Sequence, residues 1–180
     1  MRILHLTKQD YKVSQWSGGT TTEVFIWPEG SNYATREFGL RISSATVDLP
    51  ESDFTPLPGV MRYIVPLQGS FTLTHPGKQP VVMEPLCQPY RFSGEIPTHC
   101  VGKATDFNLM LKGMDGSMDI CQHTVPIVPG FTCLFAPADC RIQIDDQHYI
   151  LSAGDSLLLF SEKDAIAITD GRFIRCHSNL

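Results

Sequence analysis

Residues 38–71, FGLRISSATVDLPESDFTPLPGVMRYIVPLQGSF, decide the fold, because they place two apolar strand-like runs on either side of a proline-rich corner. Each run carries one arginine. The alternation in residues 40–47 puts Arg41 and Ser43 on one face, and that in residues 61–67 puts Arg62 on one face. If these faces are buried, each guanidinium needs a carboxylate or another acceptor, because an unpaired buried charge is costly. The stretch therefore predicts a β structure organised around two interior arginines.

Glycine and proline divide the whole chain into short strand-like segments. The 14 glycines and 13 prolines fall between runs rich in Val, Ile, Phe, Leu and Thr, and no window shows a sustained helical spacing of apolar residues. This pattern predicts an all-β protein. With 180 residues, of which 42% are hydrophobic, the chain is long enough to bury its own core.

The chain also contains an internal repeat. Residues 58–66, PGVMRYIVP, align with residues 129–137, PGFTCLFAP, and the apolar alternation continues after both copies. Two antiparallel modules of this size predict a pair of cupin-like jelly-roll barrels, a bicupin. We place the N-terminal barrel at residues 1–112 and a degenerate C-terminal module at residues 113–180. Because Cys133 replaces Arg62 in the second copy, we expect any ligand site in the first barrel.

Charge and hydropathy exclude several classes of partner. The net charge is −5 and the 14 Lys and Arg residues are scattered singly, which predicts no nucleic acid and no anionic membrane as partner. No apolar signal core follows Met1, and no apolar run approaches the roughly 20 residues of a membrane span. We expect a soluble, cytoplasmic protein.

The six cysteines form no CxxC pair, so we expect free thiols, with Cys133 and Cys140 in the core.

The histidines give no metal-binding pattern. Metal-binding cupins use an HxH pair, since imidazoles two residues apart on a strand point the same way, whereas the six histidines of this chain are isolated. The chain also lacks GxSxG, P-loop and GxGxxG motifs. We therefore predict neither a metal nor another cofactor.

A set of polar residues lies on or beside the strands that surround the two arginines. It comprises Trp16, Thr22, Glu23, Arg41, Ser43, Arg62, Asp106 and Asn108. These charges could pair with one another as a structural network. Alternatively, one arginine binds a small anion through a two-pronged contact with its carboxylate, with Trp16 as an apolar wall and Asn108 as a neutral donor. We favour Arg62 as the ligand arginine. Arg41 would then be held by Glu23 or Asp106.

The same residues carry a resemblance to a known family. The chain resembles the HutD/Ves family of bacterial proteins, which are compact two-barrel cupins, and the resemblance is clearest over residues 10–112. It rests on five ordered motifs: WSGGTTTE at 16–23, RISSA at 41–45, FTPLPGVMR at 54–62, YRFSGE at 90–95 and DFNLM at 106–110.

The resemblance implies a function as well as a fold. Members encoded in histidine-utilisation gene clusters are regarded as regulators that sense a pathway intermediate, with an acyl-glutamate such as formylglutamate as the suggested ligand. By this resemblance the pocket set would be Arg62, Trp16, Glu23 and Asn108.

We therefore expect non-catalytic binding of a small carboxylate-bearing metabolite, in a metabolic sensing or accessory role. One alternative is a metal-free isomerase or hydrolase that uses Glu23 or Asp106 as general base. Another is a structural or interaction module with fully paired charges. A homodimer is compatible with the sequence.

Overall fold

The computed structural model describes residues 1–180, and β-strands account for nearly all of its regular structure. The first eleven strands are β1 (Arg2–Leu6), β2 (Lys12–Trp16), β3 (Gly19–Trp27), β4 (Leu40–Val47), β5 (Glu51–Asp53), β6 (Val60–Gly69), β7 (Phe71–Thr74), β8 (Val81–Met83), β9 (Tyr90–Ser93), β10 (His99–Val101) and β11 (Ala104–Lys112). The other six are β12 (Gly116–Ile127), β13 (Gly130–Phe135), β14 (Cys140–Ile144), β15 (Gln147–Leu151), β16 (Ser156–Ser161) and β17 (Ala165–Ser178).

The prediction of an all-β protein is confirmed. A single turn of 3₁₀-helix at Tyr33–Thr35 is the one helical element, and Asn32 caps it by accepting a hydrogen bond from the backbone N–H of Ala34. No helix in the chain has the length and apolar character needed to cross a membrane.

The chain divides into two compact units. The N-terminal unit is Lys12–Gly113, and the C-terminal unit combines Met1–Tyr11 with Met114–Leu180. The sequence predicts that the first eleven residues belong to the N-terminal barrel. They belong to the C-terminal unit instead, because β1 pairs along its whole length with β16.

Two antiparallel sheets form the N-terminal unit. One has the strand order β2-β3-β4-β11-β6-β9, and the other has the order β5-β10-β7-β8. Ile64 and Phe92 of the first sheet share one hydrophobic core with Phe71, Leu73 and Cys100 of the second. The two sheets therefore pack face to face, as in a jelly roll.

The proline-glycine corner sets the start of β6. Gly59 has φ +73°, a left-handed conformation that favours glycine, and the N–H of Val60 donates to the carbonyl of Leu57 at 3.2 Å. From there the buried positions alternate through Val60, Arg62 and Ile64. The corner thus directs the Arg62 side chain into the interior.

The C-terminal unit has one curled sheet of seven strands. Its order is β1-β16-β13-β17-β14-β15, and the long strand β17 also pairs with β12. The sheet encloses an apolar core that includes Leu134, Leu157 and Phe173. Cys133 is fully buried opposite Cys176, so the position that matches Arg62 is uncharged. All six cysteines are free, and Cys133 and Cys140 are buried as predicted.

Candidate functional site

The register of three neighbouring strands, β4, β11 and β6, brings the polar residues together. Met110 of β11 lies opposite Arg41 on one side and opposite Arg62 on the other. Asn108 and Asp106 follow at steps of two along β11, and residues two apart on a strand share a face. The two arginines, the amide and the carboxyl group therefore occupy one continuous patch on the sheet.

This patch lines a cavity of about 410 Å³ within the N-terminal unit. That volume falls in the usual range for small-molecule sites, about 300 to 1,000 Å³. Most of the residues proposed from the sequence line it, namely Trp16, Arg41, Ser43, Arg62, Asp106 and Asn108.

Two of the proposed residues, Glu23 and Thr22, do not line the cavity. Glu23 reaches the site through its ion pair with Arg41. Thr22 lies opposite Ser44, on the other face of the sheet, and its neighbour Thr21 lines the cavity instead. The proposal of Thr22 is corrected to Thr21, because a run of consecutive threonines contains no alternation that identifies the inner face.

Arg41 is a paired cation. Its Nε donates to Oε2 of Glu23 at 2.7 Å, and its Nη1 donates to Oγ of Ser43 at 3.0 Å. The guanidinium carbon lies 4.1 Å from the centroid of the Tyr33 ring, which is a cation–π contact. Glu23 is thus the partner of Arg41, one of the two partners that the sequence suggested.

Arg62 is buried without a carboxylate partner. Its Nη2 donates to Oδ1 of Asn108 at 3.1 Å, but its buried Nε has no hydrogen-bond partner, and none of the ion pairs in the structure includes it. The guanidinium carbon lies 4.6 Å and 5.3 Å from the ring centroids of Phe54 and Phe92. Burial lowers the pKa of Arg62, and the nearby Asp106 opposes that change. The site therefore holds a desolvated cation with an unused donor.

Asp106 is the other buried ionisable group of the patch. Burial raises its pKa to about 7, against the opposing effects of the Arg62 charge, a backbone hydrogen bond with Ala45 and the side chain of Asn108. Nδ2 of Asn108 donates to Oδ1 of Asp106. The Asn108 amide therefore bridges the two groups, with its oxygen toward the cation and its nitrogen toward the acid.

Comparison with known proteins places the chain in a family. The family model HutD matches residues 8–174, a longer stretch than the one that carries the motifs. The chain belongs to the HutD family. The family prediction made from the five motifs is thus confirmed.

The fold of this HutD-family chain is similar to those of three solved bacterial structures. HutD from Pseudomonas fluorescens SBW25 is 23% identical with a TM-score of 0.83, over 99% of this chain and 98% of that one. PA5104 from Pseudomonas aeruginosa PAO1, described as a conserved protein of unknown function, is 23% identical with a TM-score of 0.84 over the whole of both chains. YhhW from Escherichia coli is 8% identical with a TM-score of 0.66, over 99% and 98%. These similarities confirm the cupin-type jelly-roll fold. No curated protein matches the chain in sequence.

The Trp16–Glu23 segment of the HutD-family motif holds an aromatic ring at the mouth of the cavity. Trp16 lines the cavity and is 43% exposed. A Cβ on Gly18 would lie 2.1 Å from the Trp16 ring, so the ring keeps its position only because residue 18 has no side chain. Trp16 therefore lines the cavity at an exposed position, and its role as an apolar wall for a ligand stays a prediction.

Two aromatic residues that line the cavity, Tyr33 and Phe54, were not predicted from the sequence. Tyr33 lies against Arg41 from the 3₁₀ turn, and Phe54 lies against Arg62 from the segment after β5. Both belong to irregular segments, where no periodicity indicates which side chains turn inward. An available signal for Phe54 was its place in the FTPLPGVMR motif, eight residues before Arg62.

Proposed function

We propose that this HutD-family protein binds a small metabolite through a carboxylate group, with Arg62 as the anchor, in a metabolic sensing or accessory role. The supporting observation is the buried Nε of Arg62, which has no partner at the edge of a cavity of suitable size. Leaving a buried donor unpaired is costly. A carboxylate would supply the missing acceptor and match the geometry of the guanidinium fork.

The remaining walls suit a short carbon chain with polar substituents. Trp16, Tyr33 and Phe54 offer apolar surface, while Ser43 and Thr21 offer hydroxyl groups. An acylated amino acid such as formylglutamate combines carboxylates, an amide and a short aliphatic chain. Membership of the HutD family fits a role related to histidine utilisation, in which such a compound would be the sensed intermediate.

Isothermal titration calorimetry with formylglutamate, acetylglutamate and glutarate tests this proposal. We expect at least one of them to bind wild-type protein, and Arg62→Ala to weaken that binding by about 2 to 5 kcal/mol, as expected for truncating one partner of a buried charge contact. Arg91→Ala is the matched control, because Arg91 is an exposed arginine of β9 that does not line the cavity. Equal affinities for wild type and Arg62→Ala would refute the assignment of the anchor.

One observation favours a second candidate, a metal-free enzyme. Asp106 lines the cavity beside a cation, and its pKa of about 7 suits general acid–base catalysis. Glu23, the other acid considered from the sequence, is already paired with Arg41. Incubation of a bound ligand with the protein, followed by NMR, separates the two functions. Conversion with a bell-shaped pH profile would support the enzyme, and recovery of unchanged ligand would exclude that reaction.

The environment of Arg62 does not favour the third alternative, a module with fully paired charges. In such a module Arg62 would have a carboxylate partner, as Arg41 and Arg175 have, whereas no ion pair includes it.

A further inference from the structure

The charges around the cavity leave one cation and one acid without an ion-pair partner. Arg41 and Glu23 form a close ion pair and cancel each other. Arg62 and Asp106 remain, joined through the amide of Asn108 rather than by a direct ion pair. A carboxylate bound at Arg62 would therefore share that single cation with the buried carboxyl group of Asp106.

No other group facing Asp106 compensates a second negative charge. Among the residues of β4, β11 and β6 that line the cavity, the cations are Arg41, which is paired, and Arg62 itself. Strand β10 contributes the thiol of Cys100, whose pKa is raised by burial and by Asp106, and the 3₁₀ turn contributes Tyr33. From β5 comes Asp53, an acid that pairs with His99 at 2.8 Å. Lys12 of β2 is exposed and does not line the cavity.

Two carboxylates that share a desolvated site cannot both remain ionised, and one of them retains a proton. We expect Asp106, rather than the ligand, to hold this proton. Asp106 is fixed in the interior, whereas the ligand carboxylate stays ionised because it contacts Arg62 directly. We infer that binding of a carboxylate at Arg62 takes up one proton from solvent, which Asp106 holds in the complex, so that affinity falls as pH rises.

This inference rests on the proposed function and adds a role for Asp106. A protonated carboxyl group has one O–H donor, which a carboxylate lacks. Asp106 would thus change from a repelling anion to a hydrogen-bond donor toward an oxygen of the ligand. Burial has already raised the pKa of the Asp106 carboxyl to about 7 in the free protein, so the proton is taken up mainly above neutral pH. The site would then sense pH together with the metabolite.

Calorimetry with formylglutamate, acetylglutamate and glutarate between about pH 5.5 and about pH 8.5 tests the inference, in pairs of buffers with different ionisation enthalpies. For wild type we expect an affinity that falls about tenfold per pH unit above about pH 7, with proton uptake approaching one per ligand at the alkaline end. Asp106→Asn, which keeps an amide donor in place of the acid, should bind with an affinity that does not change with pH.

The control for the pH dependence is Glu95→Gln, which removes an exposed acid of the same unit that lies outside the cavity. It should keep the pH dependence of the wild type. Binding by wild type that does not vary with pH, or Asp106→Asn protein that keeps the wild-type pH dependence, overturns the inference and leaves the proposed function intact. Absence of binding by all three compounds at about pH 5.5 refutes the proposed function, and the inference with it.

Discussion

Replacing Arg62 by methionine should leave the ligand-free protein at least as stable as the wild type, which is unusual for a buried residue. Methionine is a flexible apolar side chain that can fill the space of the arginine stem. The substitution removes one charged hydrogen bond to Asn108, worth about 1.5 to 3 kcal/mol, and the contact with the Phe54 ring, worth about 0.5 to 2 kcal/mol.

The opposing contribution is the desolvation penalty of a buried guanidinium that has no carboxylate partner. That penalty amounts to several kcal/mol for a buried ion, and methionine does not incur it. The opposing contributions are of similar size. We therefore expect the free energy of unfolding of Arg62→Met to lie within about 2 kcal/mol of wild type, on the stabilising side.

Arg41→Met is the matched comparison, because Arg41 lies in the same patch but has a carboxylate partner. Its removal would leave Glu23, a largely buried carboxylate, without its cation. Breaking a buried pair in this way costs about 3 to 5 kcal/mol. The same substitution, arginine to methionine, should thus have opposite effects at positions separated by one strand.

Urea unfolding of both variants, after dialysis from denaturant to remove any co-purified ligand, measures the difference. Both substitutions lie in the N-terminal unit. If the two units unfold in separate transitions, the transition of the C-terminal unit should be unchanged and serves as an internal reference. If Arg62→Met loses as much stability as Arg41→Met, then Arg62 is a structural cation and the reasoning that assigns it to a ligand fails.

Three further expectations concern Asp106, the wall of the cavity and the thiols. The pKa of the Asp106 carboxyl is about 7 when folded, against 3.8 as its ordinary value, so the folded state retains a proton that the unfolded state loses. Stability should therefore fall by at most about 4 kcal/mol between about pH 4 and pH 7, and urea midpoints should show a smaller fall for Asp106→Asn. Gly18→Ala should displace the exposed Trp16 ring, changing its fluorescence and weakening ligand binding several-fold, with little loss of stability measured by thermal unfolding. A thiol reagent should modify Cys87 and Cys121 in the folded protein and the four buried cysteines only after unfolding; modification of all six at one rate would contradict the structure.

The parts of the site that follow from the sequence are those on regular strands. A period of two identifies the inward face of β4, β6 and β11, and so it identifies both arginines together with Asp106 and Asn108. The features that cannot be predicted from the sequence depend on strand pairing between distant segments or on irregular backbone. β1 joins the C-terminal unit through pairing with β16, which is distant in sequence, and Tyr33 reaches Arg41 from a 3₁₀ turn. Neither contact leaves a periodic signal.

Comparing the two copies of the proline-glycine corner shows which residues the fold needs and which residues only a ligand site would need. In the C-terminal unit the strand after the corner buries Cys133 among apolar neighbours, so the corner and strand form without an interior charge. In the N-terminal unit the matching position buries Arg62, whose pKa is lowered by burial and whose Nε has no acceptor. The fold thus forms without a cation at this position, and keeping a desolvated cation in the other copy is what we expect if Arg62 serves the anion binding proposed above.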